Sequence, residues 1–386
     1  MGGLRVLITN YAMASRAGTE LCVRDLALAL QRRGHTPVVY TTEIGELGLS
    51  LRKATVPVVE DLDKISSPPD IIHGQHHVET MTALAHFHNA PAVFFCHGWR
   101  PWEERPPRHP RIYRYVAVDD TCRDRLLFEG GISEERTRVL LNALDLERFR
   151  PRPPLPEKPR RALVFSNSVL DYVPVVREAC ARTGLSLDVA GEYNGNLLGE
   201  PEKVLAEYDL VFAKARCALE ALAVGASVVL CDAAGAGPLV TSLEVARLRR
   251  LNFGIRALGE ELRPDVLVRE IERYDAADAA EVSRRIRAEA DQEQSFDETL
   301  ALYEEAIAEH ARAPRDAAGE GRAVAEYLRW VMSDIRRERH VMSNSPLGRL
   351  RERLLGVPLL GALAQTAAKK LREEGKRQKA KGKRQK

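Results

Sequence analysis

The sequence has no closely spaced cysteine pair and no long uninterrupted apolar run. Its six cysteines are scattered over positions 22 to 231, without a Cys-x-x-Cys spacing. This pattern is typical of free, mostly buried thiols in a reducing compartment. The short apolar run within Leu4–Thr9 has the length of a strand and lacks the flanks of a signal peptide. We therefore expect a cytoplasmic protein.

Three motifs of nucleotide and metal chemistry are also absent. Without a Gly-x-Gly-x-x-Gly or a Walker A segment, neither a dinucleotide fold nor a P-loop nucleotidase is supported. There is no His-Glu-x-x-His zinc motif, although six of the ten histidines fall between His73 and His97. His73 ends a predicted strand, so it does not share a helix face with His77. We expect no bound metal and no cofactor.

The net charge of +3 hides an uneven distribution. Residues 369–386 hold ten Lys and Arg but only two Glu, which leaves 48 basic and 53 acidic residues in the rest of the chain. The body is thus mildly acidic and carries a basic tail. This distribution predicts no specific nucleic-acid binding by the folded part.

Short β-rich runs alternate with helical periodicity twice along the chain. The predicted strands are Arg5–Thr9, Pro37–Tyr40, Asp70–His73, Ala92–Phe95, Tyr115–Val118, Ala162–Phe165, Ser186–Ala190, Leu210–Phe212 and Ser227–Cys231. Strands that alternate with helices predict parallel sheets covered on both faces. A chain of 386 residues also exceeds the usual size of a single core. The predicted fold class is α/β, with two Rossmann-like βαβ domains facing a cleft and a C-terminal helical extension.

The proline-dense stretch before Ala162 separates the two predicted domains. The expected divisions are an N-terminal Rossmann-like domain over 1–150, a linker over 151–160, a C-terminal Rossmann-like domain with its return helix over 161–312, a helical extension over 313–360 and a disordered basic tail over 361–386. The uncharged run Leu354–Ala368 is too short and too interrupted to span a bilayer. Together with the tail it suits an anionic membrane surface, the alternative being a solubilising tail.

One segment carries the strongest sign of nucleotide chemistry. The strand Leu210–Phe212 leads into a loop with Lys214 and Arg216, and Glu220 follows within the first turns of a helix. Two cations at a helix N-terminus suit a diphosphate, and a carboxylate one turn further can accept hydrogen bonds from ribose hydroxyls. On spacing alone, a solvated cation pair and a surface glutamate remain the alternative.

Three other segments are weaker candidates. Gly18 lies beside a predicted helix N-terminus, where phosphate is favoured. A predicted loop at Gly235 and Gly237 permits close approach of a phosphate, but a simple turn explains it equally well. Asp119 and the following aspartate precede a helix and are interpreted as an N-cap.

These segments and their order resemble GT-B glycosyltransferases of the group 1, family 4 type. The matching stretches are Ala17–Glu20, Arg24–His35, Asp70–His73, Cys96–Gly98, Val116–Val118, Arg123–Leu126, Asn142–Phe149 and Ala218–Val229. The resemblance covers about residues 4–310. Its most specific parts are Asn142–Phe149 and Leu219–Val229.

The resemblance implies a nucleotide-sugar substrate and a glycan or lipid-linked acceptor. Glu220 would face the ribose, and Lys214, Arg216 and Gly18 the diphosphate. Asn142, Gly235 and Gly237 would lie near the donor, and His97 would orient the sugar or acceptor as the catalytic residue. The implied reaction is sugar transfer, retaining and independent of metal, by a cytoplasmic enzyme that is peripheral on the membrane if its tail binds there.

The second domain departs from the family pattern at two places. Phe212 stands where the family has a sugar-facing glutamate, eight residues before Glu220. The stretch Ala162–Leu170 also lacks the family's diphosphate-binding Arg and Lys, and we interpret Lys214 and Arg216 as their replacements. The departures leave two alternatives: a protein that binds nucleotide-sugar without turnover as an assembly partner, or a nucleotide-sugar epimerase.

Overall fold

A computed structural model describes residues 2–14, 18–166, 171–191 and 200–344 of the chain, with side chains as far as Arg337. The predicted disordered tail and the uncharged run Leu354–Ala368 lie outside the described residues. The chain divides into two compact units, 1–320 and 321–386.

The first sheet has seven parallel strands in the order β3-β2-β1-β4-β5-β6-β7. They are β1 Arg5–Thr9, β2 Thr36–Tyr40, β3 Val58–Val59, β4 Ile71–Gln75, β5 Ala92–Cys96, β6 Ile112–Ala117 and β7 Thr137–Val139. The connecting helices are α1 Gly18–Arg32, α2 Glu46–Lys53, α3 His77–His86 and α4 Asp120–Asp124, the last followed by a π-helical turn at Arg125–Glu129. The central strands β4 and β5 are buried on both faces, which explains why β5 is apolar throughout.

The second sheet has five strands in the order β12-β11-β10-β8-β9, of which only β12 is antiparallel to its neighbour. The strands are β8 Arg161–Phe165, β9 Ser186–Ala190, β10 Leu210–Ala213, β11 Ser227–Asp232 and β12 Gly235–Leu239. The helices are α5 Val173–Thr183, α6 Pro201–Val204, α7 Ala215–Val224, α8 Val245–Arg250, α9 Pro264–Ile271 and α10 Ala276–Glu289. Each sheet thus has its own apolar core.

The chain crosses between the two sheets twice. The segment after β7 enters the core of the second sheet through Leu144 and Phe149. The Leu144 carbonyl also accepts a hydrogen bond of 3.0 Å from the N–H of Gln292, much further along the chain. Helix α11 (Gln292–Arg312) then returns to the first sheet, where Leu302 and Tyr303 join its core. As a result, residues of α11 and of the segment after β7 lie beside the C-terminal ends of β4 and β5.

The last described helix is α12 (Ala317–Asn344), and most of it belongs to the second unit. Within that unit the rings of Tyr327 and Trp330 lie 5.6 Å apart, whereas Leu328 and Met332 are exposed. Over the described parts of the chain, no helix combines the length and apolar character needed to cross a bilayer.

Every strand predicted from the sequence is present, with ends shifted by no more than three residues. The predicted N-cap is also confirmed, since Asp119 Oδ1 accepts from the Cys122 N–H at 2.6 Å. The turn after β7 is capped in the same way by Asp145 Oδ1, which accepts from the backbone of Arg148 at 3.0 Å. One expected loop is wrong: the segment with Gly235 and Gly237 is strand β12.

Candidate active site

A cavity of about 80 Å³ lies between the two sheets. Residues of α1, β4, β5 and the segment after β7 line it from the first half, and Arg216 lines it from the second. Of the predicted site residues, the structure brings His97, Asn142 and Arg216 together here. Pockets for drug-sized ligands have volumes of several hundred Å³, so this cavity is too small for a whole nucleotide-sugar.

Arg216 connects the two halves of the molecule. Its Nε donates to Glu220 Oε1 at 2.9 Å within α7, and its Nη2 donates to Asp25 Oδ2 of α1 at 3.1 Å. Nη1 lies 3.7 Å from the Sγ of Cys22. Burial alone would lower the pKa of Arg216, but the neighbouring acidic groups outweigh it and raise the pKa. The guanidinium is therefore charged and fully engaged by the protein.

Glu220 is buried and faces Arg216 from one turn along the helix. Burial raises the pKa of its carboxyl, and the charge of Arg216 opposes this rise. Arg148, which comes from the segment after β7, adds a further favourable charge nearby. The predicted ribose acceptor is thus held within a cluster of charged groups that already satisfies it.

Lys214 is the N-cap residue of α7 and pairs with Asp232 at the end of β11. It is not among the residues that line the cavity. The first helical residue, Ala215, has φ of 49° and donates its N–H to the Phe253 carbonyl at 2.9 Å. Positive φ at a residue with a side chain costs about 1–3 kcal/mol, and such strain occurs preferentially at ligand sites.

The predicted glycines lie away from the cavity. Gly18 is the exposed first residue of α1. A Cβ at Gly235 would meet the Glu260 carbonyl oxygen at 2.7 Å, and one at Gly237 would meet the Ala257 oxygen at 2.4 Å. Close packing of β12 against the backbone of residues 257–260 therefore accounts for both glycines without a ligand.

Asn142 lines the cavity and is held in place through its backbone. Its carbonyl accepts a hydrogen bond from Arg249 of α8, a side chain that is only 2% exposed. Burial lowers the pKa of Arg249 to about 10, although Glu289 opposes this. Arg249 thus fixes the lining segment that contains Asn142 to the second half of the molecule.

His97 follows β5 and is positioned by Glu104. Its backbone N–H donates to Glu104 Oε2 at 2.8 Å, and Glu104 Oε1 lies 3.6 Å from His76 Nε2. The Nε2 atom of His97 is buried and has no hydrogen-bond partner among the described residues. Burial lowers the pKa of His97 despite the neighbouring Glu104. The ring is therefore neutral at pH 7, as a proton acceptor must be.

The floor of the cavity contains residues that the sequence did not indicate. His73 Nδ1 lies 2.6 Å from the Tyr303 hydroxyl, and its Nε2 lies 3.2 Å from Gln75 Nε2. His73 also stacks on Phe95, with ring centroids 4.1 Å apart. Gln75 is two residues after His73 in β4, so the two side chains share one face of the sheet. That spacing was the available signal, but the predicted strand ends at His73 and leaves Gln75 outside it.

Phe212 lies in the core of the second domain and not in the site. It is completely buried in β10, opposite Val164 and Val229 of the neighbouring strands. The position eight residues before Glu220 is therefore part of the sheet interior. A glutamate there could not face a ligand without leaving the core.

Metal ligands are not grouped in the described part of the chain. Among those residues, no cluster of three or more His, Cys, Asp or Glu has the arrangement of a metal site. His73 lies in β4 and His77 begins α3, in separate elements. The many histidines of this region serve different contacts.

The two sheets, the cleft and the returning helix define a two-domain protein of the GT-B fold. Residues 16–148 match the family described as Glycosyltransferase Family 4. A search of curated proteins found no significant match. The predicted resemblance to group 1, family 4 glycosyltransferases is thus confirmed over residues 16–148, and the predicted GT-B fold class is confirmed for the two sheets.

Solved structures agree with this fold at low sequence identity. A glycosyltransferase from Rickettsia africae is 14% identical with a TM-score of 0.57, over 80% of this chain and 99% of that one. Anabaena HepE in complex with UDP and glucose is 15% identical with a TM-score of 0.54, over 78% and 100%. The catalytic domain of Arabidopsis thaliana starch synthase IV, bound to ADP and acarbose, is 12% identical with a TM-score of 0.50, over 80% and 100%. They confirm the GT-B fold class.

Proposed function

We propose that this glycosyltransferase moves a hexosyl-type sugar from a nucleoside-diphosphate sugar to a hydroxyl of a glycan or lipid-linked acceptor. The observation that carries the proposal is the ion pair of Arg216 and Glu220 in the first turns of α7, because Arg216 lines the same cavity as His97. A helix N-terminus with cations suits a diphosphate, and the carboxylate suits a ribose. The solved complexes of HepE with UDP-glucose and of starch synthase IV with ADP, in the same fold, support this donor class.

In the proposed reaction the bond between the anomeric carbon and the diphosphate oxygen breaks, and the acceptor oxygen forms a bond with that carbon. The acceptor proton passes to His97 or to the departing diphosphate. Positive charge from Arg216 and Lys214 stabilises the leaving diphosphate as its charge develops. Following the family resemblance, we propose retention of configuration and no metal requirement. If no metal is required, we expect sugar transfer to be undiminished in the presence of a chelator.

The first experiment is a thermal-shift screen with UDP, ADP and GDP. A nucleotide that binds only the folded state raises the melting temperature. At a hundred times its dissociation constant it adds about 2.7 kcal/mol to the free energy of unfolding. The matching nucleotide-sugar is then incubated with candidate acceptors, and release of nucleoside diphosphate that depends on acceptor is expected. The absence of any shift with all three nucleotides would refute the proposed donor class.

A second candidate function is nucleotide-sugar binding without turnover, as an assembly partner. It is favoured by the burial of Phe212 and by the internal pairing of Arg216 and Glu220. This candidate predicts stabilisation by a nucleotide-sugar but no release of diphosphate with any acceptor. Conversion of the donor in the absence of acceptor would instead indicate an epimerase.

We also propose that the enzyme works at the cytoplasmic face of a membrane. The support is the uncharged run Leu354–Ala368 followed by ten cations in residues 369–386, because apolar side chains beside cations favour anionic lipid surfaces. The full chain is expected to sediment with vesicles of phosphatidylserine and phosphatidylcholine, whereas a chain that ends at Gly348 is not. Failure of the full chain to sediment would refute this localisation.

A further inference from the structure

Two residues that line the cavity each have a buried polar atom without a partner among the described residues. The two atoms are Oε1 of Gln75, a residue that is 1% exposed, and Nε2 of His97. An unpaired polar atom in a protein interior costs about 1–3 kcal/mol. Their joint presence at one small cavity indicates a site for a polar group of a ligand.

The Gln75 amide keeps one unpaired polar atom whichever way its oxygen and nitrogen are oriented. If the Tyr303 hydroxyl donates to His73 Nδ1, then His73 Nε2 carries the proton and donates to the amide oxygen of Gln75, which leaves the NH₂ group unpaired. If His73 Nδ1 carries the proton, its Nε2 accepts from the NH₂ group and the oxygen is unpaired. Either way one end of the amide is left unpaired in a side chain that lines the cavity. A hydroxyl, which both donates and accepts, satisfies both cases.

The charge of the floor also favours a hydroxyl over an anion. Burial lowers the pKa of His73 well below its usual value, and burial lowers the pKa of His97 too, so both rings are neutral at pH 7. The charges at the rim, Arg216 and Asp25, neutralise each other. A phosphate would therefore find no unpaired cation on this floor.

The size and place of the cavity identify which hydroxyl it takes. About 80 Å³ accommodates a few water molecules or the edge of a sugar ring with its hydroxyl groups. Arg216 at the rim belongs to the first turn of α7, where the proposed diphosphate binds. The group joined directly to a donor diphosphate is the transferred sugar.

We propose that Gln75 is a specificity-determining residue that, together with His97, forms hydrogen bonds with a hydroxyl of the transferred sugar. This inference rests on the proposed function and deepens it. It also explains how the site recognises a sugar although Phe212 is buried in the core. Gln75 takes this role because its amide is held by His73, which is fixed in turn by Tyr303 from α11.

The test compares Gln75→Leu with Gln31→Leu, the same substitution in a half-buried residue of α1 that is not among those lining the cavity. Dissociation constants are measured by calorimetry for UDP and UDP-glucose, ADP and ADP-glucose, and GDP and GDP-mannose. In the wild type and in Gln31→Leu, we expect the sugar to strengthen binding over the diphosphate alone. In Gln75→Leu this increment falls about tenfold, whereas binding of the diphosphate is unchanged. Gln75→Asn, which is shorter by one methylene, replaces Gln75→Leu if the latter does not fold.

Monodeoxy analogues of the best-bound sugar nucleotide complete the experiment. One analogue is expected to bind the wild type about tenfold more weakly than the parent, and Gln75→Leu is expected not to distinguish the two, as in a double-mutant cycle. Equal loss for the diphosphate and the nucleotide-sugar in Gln75→Leu, or no loss for either, overturns the inference but leaves the proposed function intact. If none of the six nucleotides binds the wild type, both are overturned.

Discussion

The two halves of the site are prepared for ligand in opposite ways. On the first half, Gln75 and His97 present neutral polar atoms that the described residues leave unpaired. On the second half, Arg216 and Lys214 are charged and each already contacts a carboxylate. The first half can accept a ligand without losing a contact of its own. The second half must exchange existing ion pairs for those with the ligand.

This difference assigns separate tasks to the halves. Neutral unpaired groups discriminate well between hydroxyl-bearing ligands, because a wrong ligand leaves them buried and unsatisfied. Paired charges exchange partners with a smaller net gain, since the ligand must replace the interactions that it breaks. We therefore expect sugar recognition to depend on the first half, and the strength of nucleotide binding to depend on how easily Arg216 is released.

The largest effect is expected for Phe212→Glu, which restores the family's glutamate in the sequence. Because Phe212 is fully buried between strands, the new carboxylate enters the core, and the free energy of unfolding should fall by more than about 4 kcal/mol. Urea unfolding measures this, with Phe212→Leu as a control that costs about 1–1.5 kcal/mol. A stable Phe212→Glu protein with faster sugar transfer would show that this position faces the ligand.

Arg216→Ala should have the next largest effect. It leaves the carboxylates of Glu220 and Asp25 without their shared cation, so we expect a loss of about 3 kcal/mol in the free energy of unfolding. The control Lys214→Ala removes a partly exposed pair and should cost about 1 kcal/mol or less. In the double variant, calorimetry should show nucleoside diphosphate binding at least tenfold weaker. Unchanged affinity there would contradict the diphosphate role of both cations.

Asp25→Asn should strengthen nucleotide binding. The change removes the charge that holds Arg216 to the first half but leaves the contact of Arg216 with Glu220. We expect the affinity for the nucleoside diphosphate to rise about three- to tenfold. This factor corresponds to the free energy of one ion pair that is exposed or half-buried. The matched control is Asp124→Asn, which breaks the contact of Asp124 with Arg256 at 2.6 Å without touching Arg216. Equal affinities in the two variants would show that release of Arg216 does not limit binding.

The smallest effect concerns the pH dependence of the pair that positions His97. Burial alone would lower the pKa of His76, but the hydrogen bond and the charge of Glu104 raise this pKa. Burial alone would raise the pKa of Glu104, but His76 and His97 lower that pKa. The pair therefore stabilises the fold fully between about pH 4.5 and 6.5. Stabilisation is lost as pH rises through the raised pKa of His76 or falls through the lowered pKa of Glu104.

The variant Glu104→Gln tests this pair. Melting temperatures of the variant and the wild type should differ most between about pH 4.5 and 6.5 and should approach each other on the alkaline side. A difference that stays constant from pH 5 to 9 would show that His76 is not charged in the folded protein.

Regular alternation made the fold predictable from the sequence. Buried strands such as β5 are apolar throughout because helices cover both faces of the sheet. Strand β12 was missed because Gly235 and Gly237 indicate a turn, although the carbonyls of residues 257–260 require them for packing. Such a close approach between distant segments leaves no local pattern in the sequence.

The candidate site was only partly predictable for the same reason. The contact between Arg216 and Glu220 follows from helical spacing within α7. The contact of Arg216 with Asp25 joins residues 191 positions apart, and no pattern within either segment indicates it. Gln75 lies beyond the predicted strand end at His73, and no pattern in the sequence indicates that it lines a cavity. The proposed catalytic and donor-binding roles of Gly18, His97, Asn142, Lys214, Arg216, Glu220, Gly235 and Gly237 stay predictions.

The contact between His73 and Tyr303 has a consequence for how the protein forms during translation. These residues are 230 positions apart, and Tyr303 belongs to the helix that returns to the first sheet. At about 5–20 residues per second, the ribosome needs roughly 10–50 s to add the intervening chain. The first sheet is synthesised early, but the surface that supports Gln75 is completed only when almost the whole second domain has emerged. A nascent chain thus completes the floor of the cavity after, and not before, it has synthesised the strands of the second sheet.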